Sequence, residues 1–541
     1  MESAESIRSA FESALEGARA VADGLDARAK AALAAGAGVA VLLALRRLRQ
    51  QRVRTRGGGR GGGGGGGGGR GGKVVAVVEE PAQVAQVVEV VSRDKEERKE
   101  EERNEEEEEG PVRARAEGDL AVRSSTATQP ALSYLDVFLE AMSDQWTEKN
   151  AQGYIILLIA ENKLTTGMVV KRLRQVKNVP DSVLGYTSFR GDPLFRAAIA
   201  KYVQQTFASD AGAIDPECLA VSAGCGAVID NVCFAVCDRG SEVLIPAPYY
   251  PAFDNDLRVR SGVEPMPVFS SSGSAGLPTN EDLDKAFSSC SNPRVLLLTN
   301  PHNPLGTVLN AQQVHRCIKW ALMRGLHVIS DEIYANSVHA PEGSREVFRS
   351  AMAMAPDLAE KLGEELVAQR LHTIFGFSKD FCASGLRVGC IHTKNRRLLM
   401  AMDNVGYFCG VSGHTAHLMT QALEDASFVR RFLQKNQRNL RSNYNVLESK
   451  LKAAGIPFLP ASAGMFCWID MRKFLRESTW EEEKRLWTGL AKDAKVLFTP
   501  GRDCHASEPG YFRICFAWVP ERALALAIDR VARYLQKNAD A

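Results

Sequence analysis

The chain has 541 residues, of which 45% are apolar, and its formal net charge is only +2. This length is too great for one small domain, and a near-neutral chain without a basic patch among aromatic residues gives no indication of nucleic-acid binding. The twelve cysteines show no Cys-x-x-Cys pair and no metal-ligand spacing, so we expect free thiols in a reducing compartment and no metal site.

The first 125 residues are mostly of low complexity. Residues 31–45 form an apolar run followed by six arginines, and the run is shorter than the ~20 residues that a membrane span needs. For residues 1–56 we therefore predict one of two structures. The first is a membrane anchor, which would leave the catalytic region in the cytosol, and the second is an amphipathic or exposed helix. Residues 57–125 are Gly-rich and then acidic, and for them we predict a low-complexity linker that is disordered or, in its acidic run, a lone charged helix.

From residue 126 onward, apolar runs alternate with turn signals as in an α/β domain. Helical spacing at 194–207, after Gly224 and Gly226 as far as Val236, and at 311–324 alternates with short apolar strands at 218–222, 243–245, 295–299, 326–330 and 371–375. One long helical stretch is predicted at 414–454, and 456–541 predicts strands and a last helix from Glu521. We predict one catalytic region at 126–541, with a large domain at about 180–410 and a small domain built from the segments that flank it.

Polar and aromatic residues recur where these strands end, which is where open α/β sheets bind ligands. The strand at 371–375 leads into Ser378 and Lys379, and Arg387 follows eight residues after the lysine. A lysine at a strand end can form a Schiff base with the aldehyde of pyridoxal phosphate (PLP), and a nearby arginine can clamp the phosphate. Taken alone, Lys379 is equally compatible with an ordinary surface lysine.

Five motifs then occur in one order along the chain. They are Asn-Pro-His-Asn-Pro-Leu-Gly at 300–306, Ser-Asp-Glu-Ile-Tyr at 330–334, Ser378-Lys379, Leu-Arg-Val-Gly at 386–389 and Tyr-Phe-Arg-Ile-Cys-Phe at 511–516. With them the chain resembles the fold type I PLP-dependent enzymes of the aminotransferase class I/II family. Segments 160–164, 246–256, 463–470 and 499–510 make it most similar, within that family, to 1-aminocyclopropane-1-carboxylate (ACC) synthases and ACC synthase-like proteins.

The resemblance, which covers roughly 134–535, implies an α/β fold. A large domain would carry a mostly parallel seven-stranded sheet, beside a smaller α+β domain, and the enzyme would be a homodimer. The resemblance also implies three catalytic residues. Lys379 would hold PLP and act as general base, Asp331 would pair with the pyridinium nitrogen, and Tyr334 would hydrogen-bond the 3-oxygen of the ring.

Further cofactor-binding residues follow from the same resemblance. Asn303 would assist Tyr334, Tyr250 would stack on the ring, and Arg387 would clamp the phosphate. Backbone N–H groups at a helix start would complete the phosphate site. The residues expected to do so are Cys225 and Gly226, with Ser378 beside the lysine.

The expected substrate is an amino acid or S-adenosylmethionine. Arg513 would bind the α-carboxylate as a fork, and Glu161 matches the family's substrate-recognising acid, a carboxylate suited to a sulfonium. Three functions stay open at this point. The first is an ACC synthase, which forms ACC and methylthioadenosine from S-adenosylmethionine bound to the cofactor as a Schiff base. The second is an aminotransferase between an amino acid and a 2-oxo acid. The third is a non-catalytic relative, against which the intact motif set argues.

Four positions depart from the family pattern. Phe189 replaces a tyrosine that reaches the partner subunit's cofactor, Gly226 a threonine, Gly376 a serine, and Asn255 an arginine. The first three changes remove hydroxyl hydrogen bonds, each worth roughly 0.5–1.5 kcal/mol. We therefore expect cofactor binding to survive on Lys379 and Arg387. Glu161 favours the ACC synthase, whereas Phe189 and Asn255 favour the aminotransferase or an unassigned reaction.

Overall fold

The computed structural model describes residues 121, 124–129, 132–271, 273, 276–341 and 347–539. The expected anchor or helix at 1–56, and nearly all of the expected linker at 57–125, lie outside these residues. Among the residues that are described, no helix combines the length and the apolar character that a membrane crossing requires.

The described strands fall in chain order between residues 155 and 515. They are β1 (Ile155–Ile156), β2 (Leu219–Ser222), β3 (Glu242–Pro246), β4 (Glu264–Val268), β5 (Pro293–Thr299), β6 (His327–Asp331), β7 (Leu371–Gly376), β8 (Gly389–Thr393), β9 (Phe458–Leu459), β10 (Phe466–Asp470), β11 (Val496–Leu497), β12 (Thr499–Pro500) and β13 (Tyr511–Cys515).

The α-helices of the same part of the chain lie between and around these strands. They are α1 (Ser124–Ala127), α2 (Leu135–Ser143), α3 (Thr166–Leu173), α4 (Pro193–Thr206), α5 (Cys225–Val236), α6 (Phe253–Arg258), α7 (Asn280–Ser289), α8 (Ala311–Met323), α9 (Ala351–Leu362), α10 (Glu364–Arg370), α11 (Arg396–Val405), α12 (Gly413–Glu424), α13 (Ala426–Ala453), α14 (Trp480–Lys492) and α15 (Glu521–Ala539).

The large domain is built on a seven-stranded sheet with the order β2-β8-β7-β6-β5-β3-β4. Only β8 runs antiparallel to its two neighbours, and the other adjacent pairs are parallel. Strands β6 and β7 are buried along their whole length, as expected for strands that are covered on both faces. The predicted mostly parallel seven-stranded sheet is confirmed.

The smaller α+β domain contains a four-stranded antiparallel sheet with the order β12-β13-β10-β9. A two-stranded parallel sheet pairs β1 with β11, so a segment that precedes the large domain joins one that follows it. This pairing agrees with a small domain assembled from flanking segments. The proposed boundaries near residues 180 and 410 stay a prediction.

Two sequence-based assignments differ from the structure. The predicted helix at 414–454 is two helices, because Asp425 interrupts it and caps α13 by accepting a hydrogen bond from the Phe428 N–H at 2.8 Å. Strand β4 was not predicted, since it carries two prolines. It lies at the sheet edge beside β3 alone, where a residue without an N–H is tolerated.

Parallel strands place the chemistry of this chain at one edge of the large sheet. Strands β3, β5, β6 and β7 run in the same direction, so their carboxyl ends meet there. Helix α5 follows β2, which is parallel to them, and so starts at the same edge. The segments predicted to carry the site therefore converge although they lie far apart in the sequence.

Candidate active site

The carboxyl ends of these strands open into a cavity of about 190 Å³. Every residue predicted to bind the cofactor lines it. These residues are Cys225, Gly226, Tyr250, Asn303, Asp331, Tyr334, Ser378, Lys379 and Arg387. The fold thus brings the predicted set into one cavity, although it does not by itself assign a role to each member.

Lys379 follows β7 and reaches toward the N-terminal segment before α3. Its Nζ donates a hydrogen bond to the Ala160 carbonyl. The pKa of Lys379 is lowered to about 8, mainly by burial; Cys515 opposes this shift and Arg513 adds to it. The lysines that form ion pairs in the described part of the chain are Lys361, Lys450, Lys452 and Lys495, and Lys379 is not among them. A lysine with a lowered pKa supplies the neutral amine that Schiff-base formation requires.

Asp331 is the last residue of β6 and is buried. Its Oδ1 accepts one hydrogen bond, from the Ile333 N–H at 3.2 Å. Burial raises the pKa of Asp331 to about 7, the Ile333 N–H opposes the rise, and Asp256 adds to it. A buried carboxyl group without a cationic partner is costly, and a protonated ring nitrogen would supply that partner.

Tyr334 and Asn303 lie on another side of the cavity. The Tyr334 ring packs edge to face on Phe466 at 5.6 Å, and burial raises the pKa of Tyr334. Asn303 accepts a hydrogen bond from Arg513 Nη1 at 2.9 Å. Tyr250 lines the cavity, whereas Tyr249 is buried against His505 at 4.2 Å between ring centroids, as a structural aromatic would be.

Arg387 places a cation at the start of α5. Its guanidinium donates to the carbonyls of Ser384 at 3.2 Å and Ala223 at 3.4 Å, and in the described chain it pairs with no carboxylate. The N-cap of α5 is Gly224, which has no side chain to cap the helix. Gly224 has a φ of +92°, which favours glycine, and a Cβ there would lie 2.5 Å from Arg387 Nη2. A cation at the positive end of a helix dipole is unfavourable unless an anion joins it.

These features fit PLP. The phosphate would bind at Arg387 and the α5 N-terminus, the ring nitrogen at Asp331, and the aldehyde at Lys379. In addition, the Thr299 hydroxyl faces this region as a buried group without a hydrogen-bond partner. Among the described residues, one cavity thus contains a buried hydroxyl without a hydrogen-bond partner, a buried acid without a cationic partner and an arginine without a carboxylate partner. These features are expected of a site shaped for a charged ligand.

Arg513 lies behind Asn303 and is 1% exposed. Its Nη2 donates to the Leu158 carbonyl at 2.8 Å and to Thr499 Oγ1 at 2.9 Å, and its Nε has no partner. With the bond to Asn303, three of the five guanidinium N–H donors are used, which leaves two. Within the described part of the chain this buried cation has no counter-ion, so it favours a carboxylate ligand.

Glu161 is half-buried and follows Ala160, the residue whose carbonyl receives Lys379 Nζ. The negative charge of Glu161 raises the pKa of Lys379, although burial outweighs it. Neither Glu161 nor Arg513 lines the cavity itself. Arg513 donates a hydrogen bond to Asn303, which does line the cavity, and Glu161 acts on Lys379 through its charge.

The departures from the family pattern have different surroundings. Phe189 is 38% exposed and packs edge to face on Tyr407 at 5.2 Å, outside the cavity. A Cβ on Gly376 would lie 2.8 Å from both Cys225 Sγ and the Val388 carbonyl. The serine of the family therefore does not fit this backbone without a shift of neighbouring atoms.

Other lining residues were not predicted as site residues. They are Ile229, Phe253, Asp256, Thr299, Ile333 and Ser384. Thr299 ends β5, so the rule that ligands bind at the carboxyl ends of strands was a sufficient signal for it. No local pattern distinguishes Asp256 from Asp254, the other acid of α6.

Comparisons with known proteins agree with this geometry. The family model "Aminotransferase class I and II" matches residues 156–531. The chain is 33% identical over 404 residues to 1-aminocyclopropane-1-carboxylate synthase 9 of Arabidopsis thaliana, covering 72% of this chain and 84% of that protein. It is 33% identical over 400 residues to the 1-aminocyclopropane-1-carboxylate synthase of Malus domestica. That match covers 71% of this chain and 83% of the Malus protein.

Among solved structures, the aspartate aminotransferase from Rhizobium meliloti is similar with a TM-score of 0.63 and 22% identity, covering 77% of this chain and 98% of that one. A single mutant of the Thermus thermophilus aspartate aminotransferase is similar with a TM-score of 0.62 and 20% identity. The match covers 77% of this chain and 99% of that one. At such identity these structures show the fold alone.

Proposed function

Because the chain belongs to the aminotransferase class I and II family and is a PLP-dependent enzyme, we propose that it has the activity of an ACC synthase. It would convert S-adenosylmethionine to ACC and methylthioadenosine. The observation that carries this choice is the position of Glu161, a half-buried carboxylate beside Lys379. The curated relatives that are ACC synthases support it.

The substrate would be held at both ends. Arg513 has two N–H donors left in a buried, rigid position, so it binds the α-carboxylate. Phe466 supports the guanidinium at 4.5 Å from its ring centroid. At the other end Glu161 supplies negative charge for the sulfonium of S-adenosylmethionine. An amino acid with an uncharged side chain would gain nothing from Glu161.

Lys379 is the base of the proposed reaction. When bound, PLP withdraws electrons from the substrate Cα and makes its proton acidic. Lys379 with a pKa of about 8 is partly neutral near physiological pH and takes that proton at Nζ. Asp331 holds the proton on the ring nitrogen, since its buried carboxylate gains a cationic partner there.

The second candidate function is an aminotransferase. It uses the same lysine, aspartate and arginine to remove the Cα proton. An aminotransferase then returns that proton to the cofactor, whereas an ACC synthase forms a Cα–Cγ bond and breaks the Cγ–S bond, which releases methylthioadenosine. Phe189 favours this reading, because it has no hydroxyl to reach a partner's cofactor and Tyr186, the nearest tyrosine before it, is 94% exposed. The two candidates therefore need a direct assay.

That assay uses the purified full chain loaded with PLP and supplied with S-adenosylmethionine. We expect ACC and methylthioadenosine in equal amounts, and no product with Lys379→Ala. Glu161→Gln should raise KM for S-adenosylmethionine about tenfold, which is the loss of one partly screened charge interaction. Conversion of the cofactor to its amine form by ordinary amino acids, with no ACC formed, would refute the lyase and establish the aminotransferase.

A homodimer is part of this proposal. Phe189 belongs to an exposed aromatic cluster in which Tyr407 contacts both Phe189 and Phe408, each at 5.2 Å between ring centroids. Tyr407 is 61% and Phe408 79% exposed. Exposed apolar clusters mark protein–protein contacts, and a second copy is the partner we propose. Sedimentation of the double variant Tyr407→Ser, Phe408→Ser should show monomers where the native chain sediments as a dimer.

A further inference from the structure

A cavity larger than that of the active site lies at the opposite edge of the seven-stranded sheet. It has a volume of about 850 Å³ and is lined by Arg294 near the start of β5, His327 at the start of β6 and Arg370 just before β7. Strand β8 runs antiparallel to β7, so its end brings Lys394 and the first residues of α11 to the same edge. Four neighbouring strands thus contribute to a cavity that is separate from the cofactor site.

This cavity has an excess of positive charge. Its cationic lining residues are Arg294, Arg370, Lys394, Arg396 and Arg397, whereas its acidic ones are Asp238 and Glu365. The arginines with an ion-pair partner in the described ranges are Arg172, Arg190, Arg196, Arg258, Arg260, Arg324, Arg349, Arg472, Arg485 and Arg522, and none of them lines the cavity. Lys394 is likewise not among the paired lysines of those ranges. Cations gathered in a cavity without counter-ions favour an anionic ligand.

Two of the arginines are held in place by the backbone. Arg294 Nε donates to the Val236 carbonyl at 3.2 Å, and Arg370 Nη1 donates to the Gly325 carbonyl. Both are half-buried, and each has four of its five N–H donors without a partner among the described residues. Burial lowers the pKa of His327, and the charges of these two arginines lower it further, so both lie near its ring. Guanidinium groups fixed in this way can bind phosphate oxygens in pairs.

A chain of hydrogen bonds fixes the proton of His327 on the nitrogen that is left for a ligand. Thr393 Oγ1 accepts the Asn395 N–H at 3.1 Å and lies 2.8 Å from His372 Nδ1, and His372 Nε2 lies 3.0 Å from His327 Nδ1. Thr393 is buried, so its hydroxyl proton needs an acceptor, and His372 Nδ1 is the one within reach. His372 then donates from Nε2 to His327 Nδ1, and the proton of the neutral His327 ring is on Nε2. This N–H has no partner in the described chain, although His327 is only 8% exposed and lines the cavity.

Two further donors belong to the first turn of α11. Asn395 caps this helix by accepting the Leu398 N–H at 2.9 Å. The N–H groups of Arg396 and Arg397 are then left without partners among the residues described. Together with the buried N–H of His327, they make the cavity a site with several donors and few acceptors.

We propose that this cavity binds a small molecule with a diphosphate or triphosphate group, whose phosphates lie between Arg294, Arg370 and the start of α11. Such a group carries a compact charge of about −3 to −4 at neutral pH, which matches the excess of cations. The volume suits a ligand of nucleotide size, since ligand pockets commonly have about 300–1,000 Å³. Two sources have this chemistry, an inorganic polyphosphate and a nucleoside polyphosphate. They differ in the base, for which Phe234, a lining residue that is 54% exposed, offers a ring to stack on.

The test titrates the PLP-loaded full chain with ATP and with inorganic tripolyphosphate by calorimetry, at an ionic strength of about 0.15 M that screens distant charges. We expect one site per chain. Arg294→Gln and Arg370→Gln should each weaken the binding of both probes about tenfold, since each removes charge-assisted hydrogen bonds. Phe234→Ser should weaken the binding of ATP alone if the ligand is a nucleotide, and of neither probe if it is an inorganic polyphosphate.

The matched control is Arg533→Gln, in another basic cavity of the described chain, on α15. It removes the same charge from a place where the proposal puts no phosphate, so its affinity for both probes should stay within about twofold of the native value. Equal losses in Arg533→Gln and Arg294→Gln would show attraction by net charge alone and overturn the proposal, as would the absence of saturable binding.

Loading with PLP separates this cavity from the cofactor site. Binding that occurs only in the cofactor-free chain would place the phosphates at Arg387 and would also overturn the proposal. If Arg294→Gln misfolds, Arg397→Gln takes its place, because the Arg397 side chain is exposed. The result does not depend on the reaction catalysed, since the cavity and Lys379 lie at opposite edges of the sheet.

Discussion

Restoring the family's serine at position 376 should damage this chain. A Cβ on Gly376 would lie 2.8 Å from Cys225 Sγ, 2.8 Å from the Val388 carbonyl and 3.3 Å from Gly389 Cα. Real side chains do not tolerate the first two distances, so Gly376→Ser forces atoms to move. One of them is a backbone oxygen that accepts the Phe377 N–H at 3.1 Å beside the pairing of β7 with β8.

The expected cost follows from the two contacts. Overpacking a buried site costs about 1–3 kcal/mol, and the contact with the Val388 oxygen cannot be relieved by a side-chain rotation. Cys225→Ala removes the other contact but loses the Sγ donor to the Phe375 carbonyl, at 3.2 Å. We therefore expect Gly376→Ser to cost about 2–3 kcal/mol in the native background and about 1–2 kcal/mol in Cys225→Ala.

Thermal unfolding of the PLP-loaded chain measures this effect, together with the occupancy of cofactor from its absorbance. We expect a lower midpoint and a lower occupancy for Gly376→Ser, because Cys225 begins the helix that would hold the phosphate. Gly385→Ser is the matched control, since a Cβ there meets no atom within 4 Å. An unchanged or raised midpoint for Gly376→Ser, or equal costs in both backgrounds, would refute the packing argument.

Three further outcomes follow from the site. Arg513→Lys should lower kcat/KM about 100-fold, ~3 kcal/mol, because lysine keeps the positive charge but loses the forked pair of N–H donors. Steady-state kinetics on enzyme with an unchanged aldehyde-form absorbance measures this, and a loss below threefold would contradict it. The rate of PLP uptake by the cofactor-free chain should rise with pH and level off above about pH 8, since only the neutral amine of Lys379 reacts. A stopped-flow rate that is independent of pH between 6 and 9 would be inconsistent with this expectation. Asp331→Asn should retain PLP but lose at least about 100-fold in kcat, because an amide does not hold the ring proton; near-native kcat would exclude that role.

The sequence by itself determined the elements whose signals are local. Strands β3 and β5 to β7 are short, buried and largely apolar runs, a pattern typical of the strands of a parallel sheet. The order of the strand-end motifs was enough to name the family and to collect nine lining residues, Lys379 and Arg387 among them, into one expected site. The break in the predicted 414–454 helix at Asp425 and the proline-containing strand β4 were not predicted from the sequence. In both places contacts with residues distant in the chain outweigh the local structural preference.

The tertiary structure alone decided which groups are left without partners. Arg513 and Asn303 are 210 positions apart, and Lys379 and Ala160 are 219 apart. No periodicity records such contacts. The same holds for the lack of space at Gly376. The physical reason is that burial and charge compensation depend on everything packed around a group, whereas a sequence pattern reports only the residues beside it in the chain.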